Sequence, residues 1–335
     1  MRKPDLVCPA GSLPALRQAV DHGADAVYVG LKDITNARNF AGLNFDIESA
    51  GEGIRYAHSN GRKVFMAINT YPQAGDESRW QTAVDTAADL GVDAVIVADI
   101  GLLDYCARIH PSLRRHLSVQ GSATNYEAIN LYRDWFGIER AVLPRVLTLA
   151  QIKHVIANTN VEIEVFGFGS LCVMVEGRCL LSSYITGVSP NTNGVCSPAK
   201  AVRWLETSQG TRQARLAGVL IDEYMPNEPA GYPTLCKGRF EVNSETYYAL
   251  EEPTSLNALS LLPELICMGV AAIKVEGRQR GPAYVASVTK TLRMAIDDAF
   301  DASAGFCVKP SWQQTLNKLA EGQQETFGAY SRPWK

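Results

Sequence analysis

The sequence predicts an α/β fold of the (β/α)8 TIM-barrel type, with a cysteine-bearing insertion after strand seven. From residue 5 to about 168, short apolar runs alternate with amphipathic stretches of helical length. Continuous apolar runs of this kind are typical of parallel strands that are covered on both faces. One more strand–helix unit begins near residue 271. No G-x-G-x-x-G follows the first strand, which argues against a dinucleotide-binding sheet.

The elements follow in order from these patterns. The predicted strands are the apolar runs at 6–9, 26–30, 63–69, 93–99, 117–122, 140–144, 162–168 and 271–275. The predicted helices between them include 13–22, 47–59, 80–90, 148–157 and 284–300. Gly23, Gly61 and Gly91 stand where helices should end, because glycine adopts the left-handed conformation there at low cost.

The alternation of strands and helices breaks between about residue 181 and 250. A Pro/Gly-rich part comes first, then β-like segments at 201–206 and 216–224, then a turn-rich part at 226–239. An insertion at this point would lie over the catalytic face, where it can fold around a cofactor. We therefore assign 1–300 to a barrel domain with the insertion at about 170–250, and 301–335 to a C-terminal extension.

Composition narrows the class of protein. The 335 residues carry a formal net charge of −3, so electrostatics gives no reason to expect a nucleic-acid partner. No segment reaches the roughly 18 uncharged apolar residues of a membrane span, and the N-terminus shows no signal-peptide pattern. We expect a cytoplasmic protein whose eight cysteines are thiols or metal ligands.

Four of the cysteines, Cys172, Cys179, Cys196 and Cys236, lie amid glycines in the middle of the chain. Thiolates are the usual ligands of iron–sulfur clusters, four for a [4Fe–4S] cubane, at spacings that vary with the fold. Zinc is an alternative, although the paired C-x2-C knuckles of structural zinc sites are absent. Unliganded packing thiols are a third interpretation. The spacing favours iron–sulfur and leaves the other two open.

The residues around the first two of these cysteines carry a family resemblance. E-V-F-G-F-G-S-L-C-V-M-V-E-G-R-C-L-L-S, at 164–182, resembles the signature of the collagenase-like family historically called U thirty-two peptidases. Further stretches resemble the ubiquinone-biosynthesis branch of that family, at 35–45, 189–199, 231–239, 274–280 and 328–330. The resemblance therefore extends along nearly the whole chain.

This resemblance implies a [4Fe–4S] cluster on the four cysteines and a heterodimer with the paralogous cluster protein UbiV. It also implies oxygen-independent hydroxylation of the aromatic ring of ubiquinone precursors, with prephenate as the hydroxyl donor. Other members hydroxylate RNA bases with the same donor. Many members have Arg-Gly before the third cysteine and a further cysteine soon after it. This chain has Asn193-Gly194 and Ala199-Lys200 instead, which favours the quinone branch.

Alternatives to this function remain. An RNA base hydroxylase of the same family is one, and a non-catalytic scaffold that only carries the cluster is another. A protease has little support, because the chain contains neither H-E-x-x-H nor G-x-S-x-G.

Polar residues that follow predicted strands are the candidates for substrate binding. Arg278 and Arg280 follow the last barrel strand and Arg38 follows the second. Guanidinium groups bind carboxylates bidentately, and prephenate carries two carboxylates. Asn69 and Gln120 also end predicted strands. Salt bridges or helix caps would explain the same residues without substrate. The aromatic residues suggested for an apolar groove near the cluster are Tyr184, Trp204, Tyr224 and Tyr232. We assign no catalytic residue.

Overall fold

A closed ring of eight parallel strands forms the centre of the protein. The computed structural model describes residues 2–40, 42–172, 179–190, 195–302 and 305–331. The barrel strands are β1 (Asp5–Pro9), β2 (Ala26–Val29), β3 (Lys63–Ile68), β4 (Ala94–Val97), β5 (Arg115–Leu117), β6 (Arg140–Val142), β7 (Glu162–Ser170) and β14 (Ala272–Val275). Each pairs in parallel with the next, and β14 pairs with both β7 and β1, which closes the ring. The predicted TIM-barrel-like fold is confirmed.

Helices cover the outside of the ring. They are α1 (Leu13–Asp21), α2 (Ile47–Ser59), α3 (Glu77–Asp89), α4 (Ile100–Ile109), α5 (Tyr126–Phe136), α6 (Leu149–Ala157) and α9 (Pro282–Ala302), with α8 (Leu262–Met268) before the last strand. Short polar side chains start several of them by accepting a backbone N–H of the first turn, namely Ser12, Asp46, Asp99, Asn125 and Thr148. These local caps explain why the sequence pattern located the helices.

Buried charges run through the inside of the barrel below its mouth. Arg140 donates to Asp5 at 2.8 Å, to Glu162 at 2.7 Å and to Glu164 at 3.3 Å. Lys274 donates to Glu164 at 2.6 Å. Each of these charges has a partner, which buried charges require because water no longer solvates them. A connected network of ion pairs therefore forms the floor of the barrel.

The fifth strand is shorter than predicted. It ends at Leu117, and Val119–Gly121 forms a 3-10 turn. The Ser118 hydroxyl accepts the backbone N–H of Gln120 at 3.2 Å, and Ser122 has a left-handed φ of 53°. The predicted strand at 117–122 is therefore wrong in its extent, because the serine side chain bends the backbone away from the sheet.

The insertion folds over the end of β7 as a helix and two small antiparallel sheets. α7 (Leu180–Thr186) is followed by β8 (Val202–Glu206), β9 (Arg212–Leu216), β10 (Val219–Tyr224), β11 (Arg239–Val242) and β12 (Glu245–Tyr248). The single strand predicted at 216–224 is wrong. Ala217 and Gly218 have φ angles of 47° and 86° and form a two-residue hairpin turn, so β9 and β10 are separate antiparallel strands.

A late segment of the chain is attached to the upper part of β7. β13 (Ser255–Asn257) pairs antiparallel with β7 and parallel with β15 (Glu325–Thr326), which comes after α10 (Pro310–Leu319). The buried hydroxyl of Tyr330 donates to the Phe166 carbonyl at 2.6 Å. In the part of the chain that the structure describes, no helix has the length and apolar character needed to cross a bilayer.

Candidate functional site

A buried guanidinium lies at the mouth of the barrel. Arg278 follows β14, is only 4% exposed, and lies over the Tyr28 ring at 5.8 Å. Its Nε and Nη1 have no hydrogen-bond partner among the described residues. A Cβ on Gly30 would lie 2.4 Å from Nη1, so glycine is required there for the side chain to fit. Burial lowers the pKa of Arg278 to about 10, which still leaves it charged at neutral pH.

A carboxylate beside it joins two further arginines. Glu276 accepts from Arg38 Nη2 at 3.1 Å and also from Arg145 Nη1. Burial by itself would raise the pKa of Glu276, but the charges of Arg145 and Arg38 outweigh it and hold the pKa at about 2. Gly169 of β7 has a φ of +132°, and a Cβ there would lie 2.7 Å from the Glu276 Cβ. Because Gly169 has no side chain, Glu276 can pack directly against β7.

Asn69 and Gln120 lie on the same rim and have different roles. The Asn69 side chain accepts from the Ala37 N–H at 3.0 Å and donates to Ser118 at 3.2 Å. It thereby supports the loop that carries Arg38. Gln120 is buried, and its Oε1 has no hydrogen-bond partner among the described residues. Gln120 therefore presents an unused acceptor.

Other strand-end residues are not part of this arrangement. Arg280 lies over the Tyr284 ring at 5.3 Å and is partly exposed. Asp99 accepts the Leu102 N–H at 2.8 Å and caps α4. Their local contacts explain both residues without a ligand.

The four central cysteines come from four different loops above the strands. Cys172 follows the end of β7, and Cys179 precedes α7 with its Sγ 3.7 Å from the Ser182 hydroxyl. Cys196 lies in an exposed turn, and Cys236 lies in a 3-10 turn.

Burial and neighbouring charges raise the pKa of two of the four thiols, Cys236 and Cys196. Burial, followed by the charge of Cys172, raises the pKa of Cys236 to about 12, and the charges of Cys196 and Cys179 add to this effect. Desolvation of its sulfur raises the pKa of Cys196 even though the residue as a whole is exposed. Arg38 lowers the same pKa and Glu276 raises it. The charges of the other thiols and of the barrel rim therefore contribute to the pKa of Cys236 and Cys196.

The thiols as placed are neighbours and not a closed ligand set. Across the described ranges, no three His, Cys, Asp or Glu side chains are grouped so that they could hold a metal ion. All four are free thiols rather than disulfides, and their mutual repulsion as thiolates calls for a positive counter-charge. The donor type fits an iron–sulfur cluster, but the four described thiols are not grouped as metal ligands. Residues 173–178 and 191–194, which include Asn193-Gly194, lie outside the described residues.

The aromatic residues suggested for an apolar groove are divided between two places. Tyr224 is buried and lies 6.2 Å from Trp204 between ring centroids, on the inner side of the small sheet. Tyr232 is exposed and its hydroxyl donates to the Ser197 carbonyl at 3.1 Å, directly after Cys196. Tyr184 is largely exposed on α7. They do not form one continuous groove.

Sequence reasoning missed Arg145. Arg145 donates to the Ser170 carbonyl at 3.0 Å and lies 4.1 Å from the Phe166 ring centroid. It therefore connects Glu276 to the end of β7, two residues before Cys172. Its position shortly after a barrel strand was a signal that could have found it.

The chain is similar to proteins of one known family. A profile of peptidase family U32 matches residues 11–332. A protein of Methanocaldococcus jannaschii, named as an uncharacterized protease, is 34% identical over 304 residues, which is 89% of this chain and 66% of that protein. The tRNA hydroxylation protein P of Escherichia coli K12 is 32% identical over 351 residues, which is 98% of this chain and 75% of that protein. A solved U32 peptidase structure has a TM-score of 0.41 at 16% identity, covering 49% of this chain and 68% of that one.

Proposed function

This chain belongs to peptidase family U32, as the match over residues 11–332 shows, and within that family we propose that it is a hydroxylase subunit and not a protease. The reaction we propose is oxygen-independent hydroxylation of the aromatic ring of ubiquinone precursors, with prephenate as hydroxyl donor. The chain would then be a counterpart of the ubiquinone-biosynthesis protein UbiU. One relative at 32% identity is named a hydroxylation protein, which supports the reaction class.

The observation that carries the proposal is the buried Arg278 at the barrel mouth. An unpaired guanidinium in the protein interior is costly, and a bound anion would offset that cost. Arg38 and Arg145 pair with the carboxylate of Glu276, whereas Nε and Nη1 of Arg278 have no hydrogen-bond partner among the described residues. A carboxylate of prephenate would give these buried donors an acceptor.

The rim residues have separate roles in this proposal. Arg278 binds one carboxylate of the donor, and the Arg38–Glu276–Arg145 cluster fixes the wall against which the second carboxylate lies. The Gln120 amide oxygen accepts a hydrogen bond from the hydroxyl group of prephenate, since this oxygen has no protein partner among the described residues. Asn69 positions the Arg38 loop from behind.

Cys172, Cys179, Cys196 and Cys236 would hold the [4Fe–4S] cluster. When bound, the cluster supplies redox or Lewis-acid chemistry next to the rim. The coupling of Cys196 to Arg38 and Glu276 supports this placement. We also propose that the active form is a heterodimer with a UbiV-like paralogue, and co-purification of the two tagged proteins tests it. Recovery of active protein without the paralogue would contradict the heterodimer.

A second candidate is an RNA base hydroxylase, which the name of the Escherichia coli relative favours. The net charge of −3 and the replacement of the extra cysteine region by Ala199-Lys200 argue against it.

A strain that lacks the protein separates the two functions. We expect it to lose ubiquinone only when it grows without oxygen, with hydroxylated RNA bases unchanged, as measured by mass spectrometry of lipid and RNA extracts. The wild-type gene should restore the quinone. Normal anaerobic ubiquinone together with lost RNA hydroxylation would establish the second candidate instead.

A further inference from the structure

A buried serine hydroxyl at the mouth of the barrel has no acceptor for its own proton. Ser118 directly follows β5 and is 1% exposed. Its Oγ accepts the Asn69 Nδ2–H at 3.2 Å and the backbone N–H of Gln120 at 3.2 Å. A hydroxyl oxygen has two lone pairs and one proton. Both lone pairs are therefore occupied, and the proton has no acceptor among the described residues.

The direction of both contacts is fixed by their other partners. Oδ1 of Asn69 accepts the backbone N–H of Ala37 at 3.0 Å, so Nδ2 of the same amide faces Ser118. The backbone N–H of Gln120 can only donate. Ser118 is therefore the acceptor in both contacts, and its O–H is left for another group.

Ser118 faces the interior of the ring. His116, two residues earlier, packs against Phe65 of the inner apolar cluster, with 4.6 Å between ring centroids. Alternate residues of an extended chain share a face, and Ser118 is still extended, with φ −64° and ψ 148°. The bond from Asn69 agrees, because it joins the ends of β3 and β5 across β4. Neither ring nitrogen of His116 is hydrogen-bonded to a described residue, so His116 does not take the proton.

The same turn carries an unused acceptor. Gln120 is 5% exposed, and its Oε1 has no hydrogen-bond partner in the described part of the chain. The Tyr71 hydroxyl donates to the Gln120 backbone carbonyl at 2.6 Å, which holds the turn in place. The turn therefore offers a proton at Ser118 and a lone pair at Gln120. A carboxylate can only accept and an ammonium group can only donate, whereas a hydroxyl group does both.

We propose that Ser118 and Gln120 form a hydroxyl-recognition subsite across the mouth from Arg278. The Arg278 guanidinium lies beside Gly30, directly after β2, and β2 is three strands from β5 around the ring. A ligand that reaches both places carries a carboxylate at one end and a hydroxyl at the other. The subsite rests on the donor binding proposed above and orients prephenate. The ring hydroxyl meets Ser118, and the side-chain carboxylate para to it meets Arg278.

Two α-keto acids that differ only in a para-hydroxyl group test the subsite. Calorimetry on the anaerobically purified full chain should show 4-hydroxyphenylpyruvate binding roughly tenfold more tightly than phenylpyruvate, because its hydroxyl adds two hydrogen bonds. Ser118→Ala should reduce this preference to roughly threefold, since Gln120 remains. The affinity of Ser118→Ala for phenylpyruvate should stay within about twofold of wild type, whereas a purely structural role would weaken both ligands.

A second variant separates the subsite from the support that Ser118 gives to its neighbours. Gln120→Met removes the amide acceptor but keeps the backbone N–H that donates to Ser118, and it should also reduce the preference. Thr148→Ala is the matched control, because the Thr148 hydroxyl likewise accepts a backbone N–H, at the start of α6. This control should keep the full preference. Circular dichroism confirms that each variant folds.

Equal wild-type affinity for the two keto acids overturns the subsite, and so does a preference that both variants retain in full. Uridine is the competing probe, because its base edge also places an N–H beside a carbonyl. Uridine binding that Ser118→Ala abolishes would show that the turn reads a base instead. Failure to bind either keto acid overturns the donor site as well. The preference does not depend on quinone synthesis, so normal ubiquinone in the deletion strain would leave it standing.

Discussion

The barrel mouth and the cysteine-bearing insertion lie next to each other but are stabilised in different ways. At the mouth, Glu276 is held by Arg38 and Arg145, and below it Lys274 and Glu164 form a buried ion pair. The insertion is built from short hairpins, and its four cysteines are free thiols. The mouth supplies its own counter-charge for Arg38 and Arg145.

This difference indicates which region depends on a bound group for its charge balance. Ion pairs hold the side chains of the mouth in place without a ligand, so Arg278 is already positioned to bind one. Burial, together with the charges of the other thiols, raises the pKa of Cys236, and a positive group bound between the sulfurs would offset that effect. We therefore expect the insertion to respond to loss of the proposed cluster and the barrel to loss of its ion pairs.

Removal of one thiol gives the largest expected effect. Cys179→Ala should abolish bound iron, acid-labile sulfide and visible absorption in anaerobically purified protein, because a cubane requires its thiolate ligands. The barrel should stay folded by circular dichroism, since the Cys179 side chain makes no capping bond to α7.

Cys267→Ala, at an exposed position on α8, is the matched control and should keep its iron. Zinc without iron in the wild-type protein, or full iron in Cys179→Ala, would refute the cluster.

Loss of the Glu276 carboxylate, which Arg38 and Arg145 share, should destabilise the barrel rather than the insertion. Glu276→Gln leaves Arg145 and Arg38 without their counter-charge. The pKa of Glu276 is about 2 against an ordinary value of 4.5, so its stabilisation is complete above pH 4.5 and disappears as the pH falls towards 2. At neutral pH we expect the variant to be less stable by about 3 kcal/mol.

Denaturant unfolding at several pH values measures this difference, which should shrink between about pH 4.5 and 2. Glu52→Gln removes an exposed partner of Arg17 and should change the free energy of unfolding by less than about 1 kcal/mol. Equal effects of the two variants would show that the mouth is no more dependent on charge than the surface.

Arg278→Met should have a smaller effect on stability, of opposite sign. Removing a buried guanidinium with unsatisfied donors should raise the free energy of unfolding by about 1–2 kcal/mol. The same variant should bind prephenate roughly 30-fold more weakly or worse in calorimetry, with its iron content unchanged.

Arg280→Met, whose guanidinium lies over Tyr284, is the control and should keep donor binding. Unchanged donor affinity in Arg278→Met would remove Arg278 from the donor site.

Local patterns predicted the barrel because its determinants are local. Apolar runs made the strands and polar caps such as Asp46 and Thr148 started the helices. The turn at Ala217 and Gly218 was missed, since alanine seldom adopts a positive φ and gives no turn signal. The fifth strand ends at Leu117, earlier than predicted, because the Ser118 side chain accepts the backbone N–H of Gln120 and turns the chain away from the sheet.

The candidate site was partly predictable. Residues after parallel strands share one face, which located Arg38 and Arg278. The pairing of Arg145 with Glu276 joins residues 131 positions apart and depends on closure of the ring. No local pattern carries that information. The sequence also could not separate Arg278, whose Nε and Nη1 have no partner in the described part of the chain, from Arg280, which stacks on a neighbouring ring.

The ion pair between Lys237 and Glu321 joins the segment of the fourth cysteine to a much later part of the chain. Lys237 directly follows Cys236, and its ammonium group reaches the Glu321 carboxylate at 2.6 Å. These residues are separated by 84 positions, so a ribosome exposes the fourth thiol well before the acid that anchors its neighbour. We expect the delivery of iron and sulfide to wait until this later stretch has emerged. Maturation would then be a step that follows translation of the barrel.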